Sequence, residues 1–150
     1  MSGDLHVTVA AVVEHNGKFL LVEEETEGGL RFNQPAGHLE AGESLLGAVA
    51  RETLEETAYE FAPRHVIGVY RWQRPDSQIT YVRFAFCGEV DGPRPEQALD
   101  TGIVRVCWLS LTEVRANTQR LRSPLVLRCI EDYLAGRRYP LELIHEISSK

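Results

Sequence analysis

The chain lacks several features that would assign it to a class at once. It has no apolar run of about 20 residues, so no membrane-spanning helix is expected. Its start, Met1-Ser-Gly-Asp-Leu-His6, shows no basic region followed by an apolar one. No secretory leader is therefore expected there, and the cytoplasm is the expected compartment. Cysteine is limited to Cys87, Cys107 and Cys129, an odd number without close spacing. That pattern argues against a disulfide framework and a structural zinc site, and small buried residues are the expectation. Lysine occurs only at Lys18 and Lys150, against 14 arginines. There is no basic run beyond Arg137-Arg138, and the net charge is −6. A sequence-independent nucleic-acid binder would carry a basic face, so no nucleic-acid partner is expected, and no membrane partner either. Internal repeats, low-complexity tracts and linkers are also missing.

What is present is the composition of an ordinary globular protein, with 150 residues of which 43% are hydrophobic and 25% charged. A chain of this length buries a real core and defaults to one domain, spanning residues 1–150. The acid is concentrated. Between Gly37 and Tyr59, Glu40, Glu43, Glu52, Glu55 and Glu56 face Arg51 alone, giving −4 of the total charge.

Strand signals open the chain. Two apolar runs, His6 to His15 and Lys18 to Val22, flank Asn16-Gly17, a hairpin signature. Glu23 to Gly29 reads as a polar loop and Leu30 to Gln34 as a short strand broken by Pro35-Ala-Gly37. A long loop is expected from Gly37 to Glu43. Ser44 can cap a helix running to about Ala58, with Leu46, Val49, Ala50, Thr53 and Thr57 toward the core. Ala62-Pro63 should end that region. Strands are expected at His65 to Gln73, Ile79 to Val90 and Ile103 to Leu109, with loop over Asp91 to Ala98. Ser110-Leu-Thr-Glu113 is a capping box for a short helix. Ser123-Pro124 opens a last helix that Gly136 closes. The tail from Tyr139 to Ile144 is apolar enough to pack on the domain. Irregular alternation of strands and helices implies an α/β (α+β) fold, a mixed β-sheet sandwiched between helices.

The helix at Ser44 to Ala58 carries the chemistry. Glu52, Glu55 and Glu56 project within about one third of its circumference. Like charges at this spacing repel by roughly 0.2–0.5 kcal/mol per pair. Carboxylates near a helix C-terminus also oppose its dipole. The ordinary reading of an isolated Glu-x-x-Glu-Glu is a solvated acidic face, balanced here by Arg51 and Arg64. A bound divalent cation would reverse the sign of the repulsion, and Mg²⁺ favours one or two carboxylates, waters and substrate phosphate oxygens.

The wider spacing supports the cation. Gly37 is followed after five residues by Glu43 and after seven more by Arg51-Glu52-Thr53-Leu54-Glu55-Glu56-Thr57-Ala58-Tyr59. This resembles the Nudix box of the Nudix hydrolases: Gly, five, Glu, seven, Arg-Glu, aliphatic, any, Glu-Glu, any, Gly, aliphatic. Gly37, Glu43, Arg51, Glu52, Glu55 and Glu56 match. The departures are Thr53, Ala58 and Tyr59, and none removes a metal ligand. Ala58 costs most if the family's glycine has a positive φ there. Asn33 to Glu40, Leu121 to Val126 and Arg138 to Glu142 resemble the NudJ-type phosphatases, a subgroup of the family, so the likeness covers roughly the whole chain.

The resemblance implies a Mg²⁺-dependent enzyme, with Mn²⁺ as an alternative ion. It would hydrolyse phosphoanhydrides in nucleoside tri- and diphosphates, or in small diphosphates such as hydroxymethylpyrimidine diphosphate or thiamine diphosphate, releasing orthophosphate. It also suggests a monomer. Glu52, Glu55 and Glu56 would hold the ion, with a main-chain carbonyl of Ala36 or Gly37. Arg51 would fix the carboxylates, with Glu43 its partner. Glu52 is the first choice to take the proton of the attacking water and Glu56 the second. Among loop acids outside the box, Glu96 and Asp100 are on offer, while Gly102 stands where relatives often have an acid.

Substrate contacts are read from the residues. Arg83 lies within an apolar run and shares a strand face with Tyr81, Ala85 and Cys87. It is either a phosphate or metal-site partner or an ordinary buried ion pair or exposed edge. Arg31 and Arg122 are similar candidates. Trp72 and Tyr81 either stack on a substrate ring or pack in the core, and core packing is the reading for Trp108. His38 either meets phosphate or, as loop histidines do, bonds its own backbone. No role falls to His6, His15, His65 or His145. Two other functions compete. One is a nucleotide-clearing pyrophosphohydrolase that releases pyrophosphate, and the other a non-catalytic Nudix-like ligand-binding domain.

Overall fold

A computed structural model describes residues 3–147. Strand β1 (Leu5–Val12) carries the most deeply buried segment of the chain, because both faces of its sheet are covered. After the short β2 (Glu14–His15), Asn16 and Gly17 take positive φ values of 52° and 77° and turn the chain into β3 (Lys18–Thr26). This is the hairpin expected at Asn-Gly, whose backbone demands left-handed dihedrals at both central positions. β4 (Gly29–Asn33) and β5 (Ala36–His38) follow, then α1 (Leu45–Thr57), β6 (Glu60–Gln73), β7 (Thr80–Asp91), β8 (Ile103–Ser110), α2 (Leu111–Ala116), α3 (Leu125–Leu134) and β9 (Tyr139–Pro140).

The strands form two sheets. One is five-stranded and mixed, in the order β5-β1-β7-β6-β9, with β1 and β7 parallel. The other is four-stranded, with β3 between β4 and β8 and β2 extending it. Alternation along the strands splits the core in two. Val9, Ala11, Val13, Leu20 and Phe86 pack with Ala48 and Val49 of α1. Val12, Phe19, Leu21, Ala85 and Cys87 pack with Val126, Cys129 and Ile130 of α3. Helices thus cover the sheets from both sides, as the pattern implied. All three cysteines are free and buried.

Three local expectations need correction. The stretch Glu23 to Thr26 is strand, not loop, and the turn shrinks to Glu27-Gly28. β3 has a ladder on both sides, and its acids find arginines far along the chain: Glu23 meets Arg105 and Arg120, and Glu24 meets Arg122. Local polarity therefore loses to cross-strand pairing. The presumed loop after Pro35 begins as strand β5, which pairs antiparallel with β1. β6 starts at Glu60 and runs through Ala62-Pro63. The register shifts between Pro63 and His65, so the proline sits at a bulge where its missing N–H is tolerated.

Helix α1 keeps its expected ends. Ser44 accepts a bond from the Gly47 N–H at 3.0 Å, and Ala58 closes the helix at φ 65°. Its inner face is shifted from expectation. Val49, Thr53 and Thr57 are buried, but Ala48 and Glu52 join them, while Leu46 and Ala50 are only half-buried. Ser110 and Glu113 form the capping box of α2. Tyr139 and Pro140 pair with β6, and Leu141 and Ile144 pack against the α1 side of the core. No helix among the described residues is long and apolar enough to cross a membrane.

Candidate active site

A cavity of about 1010 Å³ opens where β5, the edge of the mixed sheet, meets the C-terminal half of α1. One wall is acidic. Glu52 is only 9% exposed and lies directly against Gly37, where a Cβ would come within 1.5 Å of its carboxylate oxygen. A side chain at 37 would displace the Glu52 carboxylate from its place beside β5. Glu56 accepts a hydrogen bond from the Ala36 N–H at 3.0 Å. Glu55 lies further out.

Asp100 completes this wall. Its backbone N–H donates to the Glu55 carbonyl at 2.9 Å, which ties the loop before β8 to the helix. One carboxylate oxygen each from Glu52, Glu55 and Asp100 lie within 4.8 Å of one another. The cluster thus pairs two box glutamates with a loop acid, and Glu56 stands beside it on Ala36. Glu96 is exposed and Gly102 donates no side chain; its carbonyl accepts from the Glu25 N–H at 2.9 Å.

Charge in this wall is poorly compensated. Burial pushes the Glu56 carboxyl up to about 9, and nearby Glu24, Glu52 and Asp100 push the same way against the Ala36 hydrogen bond. Burial likewise raises Glu52 to about 7, with Arg51 opposing and Glu55, Asp100 and Glu40 adding. Converging oxygen donors with too little positive charge around them suit a hard divalent cation.

Arg51 braces the wall from behind. Its Nε donates to Glu43 at 2.5 Å and its Nη2 to the other Glu43 oxygen at 3.0 Å. Nη1 donates to Glu55 at 3.0 Å, and Nη2 also reaches the His38 carbonyl at 3.2 Å. The Arg51 bonds hold Glu43 below the usual carboxylate range, and Glu43 in turn raises Arg51. A bidentate arginine fork fixes geometry as well as charge.

The floor is of the other sign. Arg83 of β7 sits opposite Thr8 of β1 and Tyr70 of β6, and Trp72 sits opposite Tyr81. These side chains share the face that α3 covers further along. Trp72 and Tyr81 stack on each other, 5.9 Å apart and 20° from parallel, and both line the cavity. Arg83 is 5% exposed. Its Nη1 donates to Gln34 at 2.8 Å and its Nη2 to Asn33 at 3.2 Å, and Cys129 Sγ lies 3.9 Å from Nη1. Its Nε has no partner among the described residues. Among the described residues its acceptors are amides and no carboxylate pairs with it, and its burial is not that of an exposed edge.

Arg31 and Arg122 also line the cavity. Arg31 donates to the Leu30 carbonyl at 3.0 Å, and Arg122 pairs with Glu24. Trp108 packs edge-on against Tyr59 and His15, away from the cavity. His38 lines the cavity, and its ring bonds another side chain and not its own backbone. Its Nε2 lies 2.9 Å from His6 Nδ1, and His6 meets Tyr81 edge-on. Sequence reasoning missed Asn33, Thr8 and Glu24 as cavity residues, and Gln34 as the buried support of Arg83. It weighed Asp100 without choosing it. The first four come to the site from both sheets and from the link after β4, and no local motif announces them.

The comparisons with known proteins agree with this geometry. Residues 4–129 match the model of the NUDIX domain. The chain is 46% identical over 143 residues to phosphatase NudJ of Escherichia coli strain K12, covering 95% of this chain and 92% of that protein. A solved NUDIX hydrolase from Nitrosomonas europaea is 50% identical, with a TM-score of 0.93 over 96% of this chain and 98% of that one. A MutT protein from Methanosarcina mazei Go1, at 21% identity and a TM-score of 0.71 over 92% of this chain and 99% of that one, shares the fold.

Proposed function

This chain belongs to the Nudix hydrolase family, and we propose that it is a divalent-metal-dependent phosphatase of small diphosphates and nucleoside di- and triphosphates that releases orthophosphate. The observation that carries the reading is the convergence of Glu52, Glu55 and Asp100 beside Glu56, at the edge of a cavity whose floor holds a buried arginine. The printed name of the Escherichia coli relative, a phosphatase, supports the same reaction. Hydroxymethylpyrimidine diphosphate and thiamine diphosphate are the small diphosphates proposed, on the likeness to that subgroup. The enzyme is proposed to act as a cytoplasmic monomer, with no nucleic-acid or membrane partner.

The donor set fits Mg²⁺, with Mn²⁺ as a substitute, because all its atoms are carboxylate or main-chain oxygens. Glu52, Glu55 and Glu56 would hold the ion with a carbonyl of Ala36 or Gly37, and Asp100 is added to that set. When bound, the ion supplies neutralisation of the diphosphate and a lowered pKa for water. The chain's own residues do the rest. Arg51 and Glu43 keep the carboxylates in place. Glu52 takes the proton of the attacking water, with Glu56 the alternative acceptor. Arg83 binds phosphate, Arg31 and Arg122 screen charge at the cavity mouth, and Trp72 and Tyr81 offer a flat apolar surface to a substrate ring.

A product assay tests this. Purified protein with Mg²⁺ is given nucleoside di- and triphosphates, hydroxymethylpyrimidine diphosphate and thiamine diphosphate, and orthophosphate and pyrophosphate are quantified separately. Orthophosphate from the diphosphates is expected. Pyrophosphate from triphosphates alone would move the enzyme to the nucleotide-clearing class. No product from folded protein would favour a ligand-binding role.

A further inference from the structure

Among the described residues, Arg83 is a buried cation held by neutral groups alone. Its acceptors are the amide oxygens of Asn33 and Gln34, themselves buried. Gln34 cannot turn away, because its amide nitrogen donates to the Val126 carbonyl at 2.8 Å and so leaves Oε1 toward the arginine. Dipoles orient a guanidinium but do not neutralise it, and an unpaired buried charge is costly. The Arg83 side chain lines the cavity, and its buried Nε has no partner among the described residues. The cradle is therefore built for an anion that the protein does not itself supply.

Its position along the floor narrows what that anion is. Trp72 and Tyr81 stand at one end, on β6 and β7. Arg83 is two residues along β7 from Tyr81 and lies opposite Thr8 of β1, which lies opposite His38 of β5. At roughly 4.8 Å per strand, the β5 row is about 10 Å from the Arg83 backbone. Asn33 and Gln34, which aim the guanidinium, stand just before Ala36 and Gly37, against which Glu56 and Glu52 rest. The order across the cavity is aromatic pair, guanidinium, carboxylates.

We infer that Arg83 holds the phosphate that stays with the organic product, so that water attacks the terminal phosphorus, at the carboxylate end. This rests on the phosphatase reading and adds the site of bond cleavage. A substrate whose ring lies on Trp72 and Tyr81 presents its inner phosphate to Arg83 and its outer one to the carboxylates. The water oxygen bonds to the outer phosphorus and its proton passes to a carboxylate. The bond from that phosphorus to the bridging oxygen breaks, and the electron pair stays on the bridging oxygen, now part of the organic monophosphate. Arg83 stabilises the charge that develops there. Orthophosphate and the organic monophosphate are the products.

Two readouts test the assignment. The first is metal-free: AMP is titrated into the protein in EDTA. Wild-type protein binds AMP, and Glu56→Gln keeps that affinity. Arg83→Gln weakens it by about 10-fold or more, and Arg83→Lys, which restores a cation, recovers part of the loss. Melting curves check that each variant is folded. Equal AMP affinity in Arg83→Gln and wild type would overturn the proposal. The second readout is ADP hydrolysis with Mg²⁺ in oxygen-18 water. The label is expected in orthophosphate, and label in AMP would overturn the assignment, because attack would then be at the inner phosphorus. If no diphosphate is hydrolysed, the phosphatase reading fails by itself, and the AMP titration still decides whether Arg83 is a phosphate site.

Discussion

The acidic wall and the arginine floor of the cavity face the same space with opposite charge, and they are held in different ways. The wall is a network of charges. Arg51 alone is shared among Glu43, Glu55 and Glu52, so its carboxylates outnumber the cation that orders them. The floor holds one charge among dipoles, with Arg83 on two amide oxygens. The wall is thus over-supplied with negative charge, and among the described residues Arg83 on the floor has no counterion at contact. Each end is strained electrostatically in the free protein, and the proposed cation and diphosphate would relieve both at once. Two facing ends with unbalanced charge of opposite sign distinguish a binding site from structural ion pairs such as Arg94 with Glu60 and Asp91 on the surface.

The sharpest way to break this comparison is Glu56→Gln. If the wall exists to hold a cation, turnover should fall by about 100-fold or more. The metal-free fold should survive unharmed, because an amide oxygen can still accept from the Ala36 N–H and a costly buried carboxyl is gone. Steady-state kinetics and a melting curve on one preparation check both halves. A folded variant with near wild-type turnover would remove Glu56 from the site.

A second test uses pH without any substitution. Glu52 and Glu56 are raised to about 7 and about 9 in the fold, against an ordinary carboxyl value near 4.5. The folded state therefore keeps protons that the unfolded chain gives up. Their stabilising effect is complete below pH 4.5 and is lost as pH rises through 7 and toward 9. Metal-free protein should lose about 5 °C or more in Tm between pH 5 and pH 9. Saturating Mg²⁺ should reverse the trend, because ionised carboxylates then have a partner. A Tm that is flat with pH in EDTA would mean that the wall is better solvated than its burial implies.

Much of the wall was legible in the sequence and little of the floor was. Glu52, Glu55, Glu56, Arg51 and Glu43 lie within one helix and the loop before it, so fixed spacing states their geometry. Ser44 and Ala58 mark that helix at both ends for the same reason. Arg83 could be read as an anomaly, a charge in an apolar strand, but its partners could not. Asn33, at the end of β4 in the other sheet, and Gln34 just after it reach Arg83 across nearly 50 residues through tertiary packing, which no local pattern encodes. Glu23 and Glu24 misled for the converse reason. They look like loop acids until Arg105, Arg120 and Arg122 arrive from the other end of the chain. Asp100 joins the wall because its backbone is tied to Glu55, a contact set by loop conformation and not by spacing.

The smallest expected effect separates the wall's charge from the backbone that carries it. Ala58 closes α1 at φ 65° and ψ 11°, in the left-handed region, where the family's box has glycine. A residue with a Cβ pays roughly 1–2 kcal/mol there. Ala58→Gly relieves that strain but gives up a buried methyl worth about 0.8 kcal/mol. The net gain should be under about 1 kcal/mol, a rise in Tm of about 2 °C for a chain of this size. The bonds at this corner are main-chain and survive the change: the Ala58 N–H to Leu54 at 2.9 Å and the Arg94 N–H to the Ala58 carbonyl at 2.7 Å. If the strain is only a stability cost, melting shifts while turnover and metal-free AMP affinity stay put. A change in turnover with AMP affinity held would show instead that the helix end sets the aim of Glu55 and Glu56, and that the wall depends on backbone geometry where the floor does not.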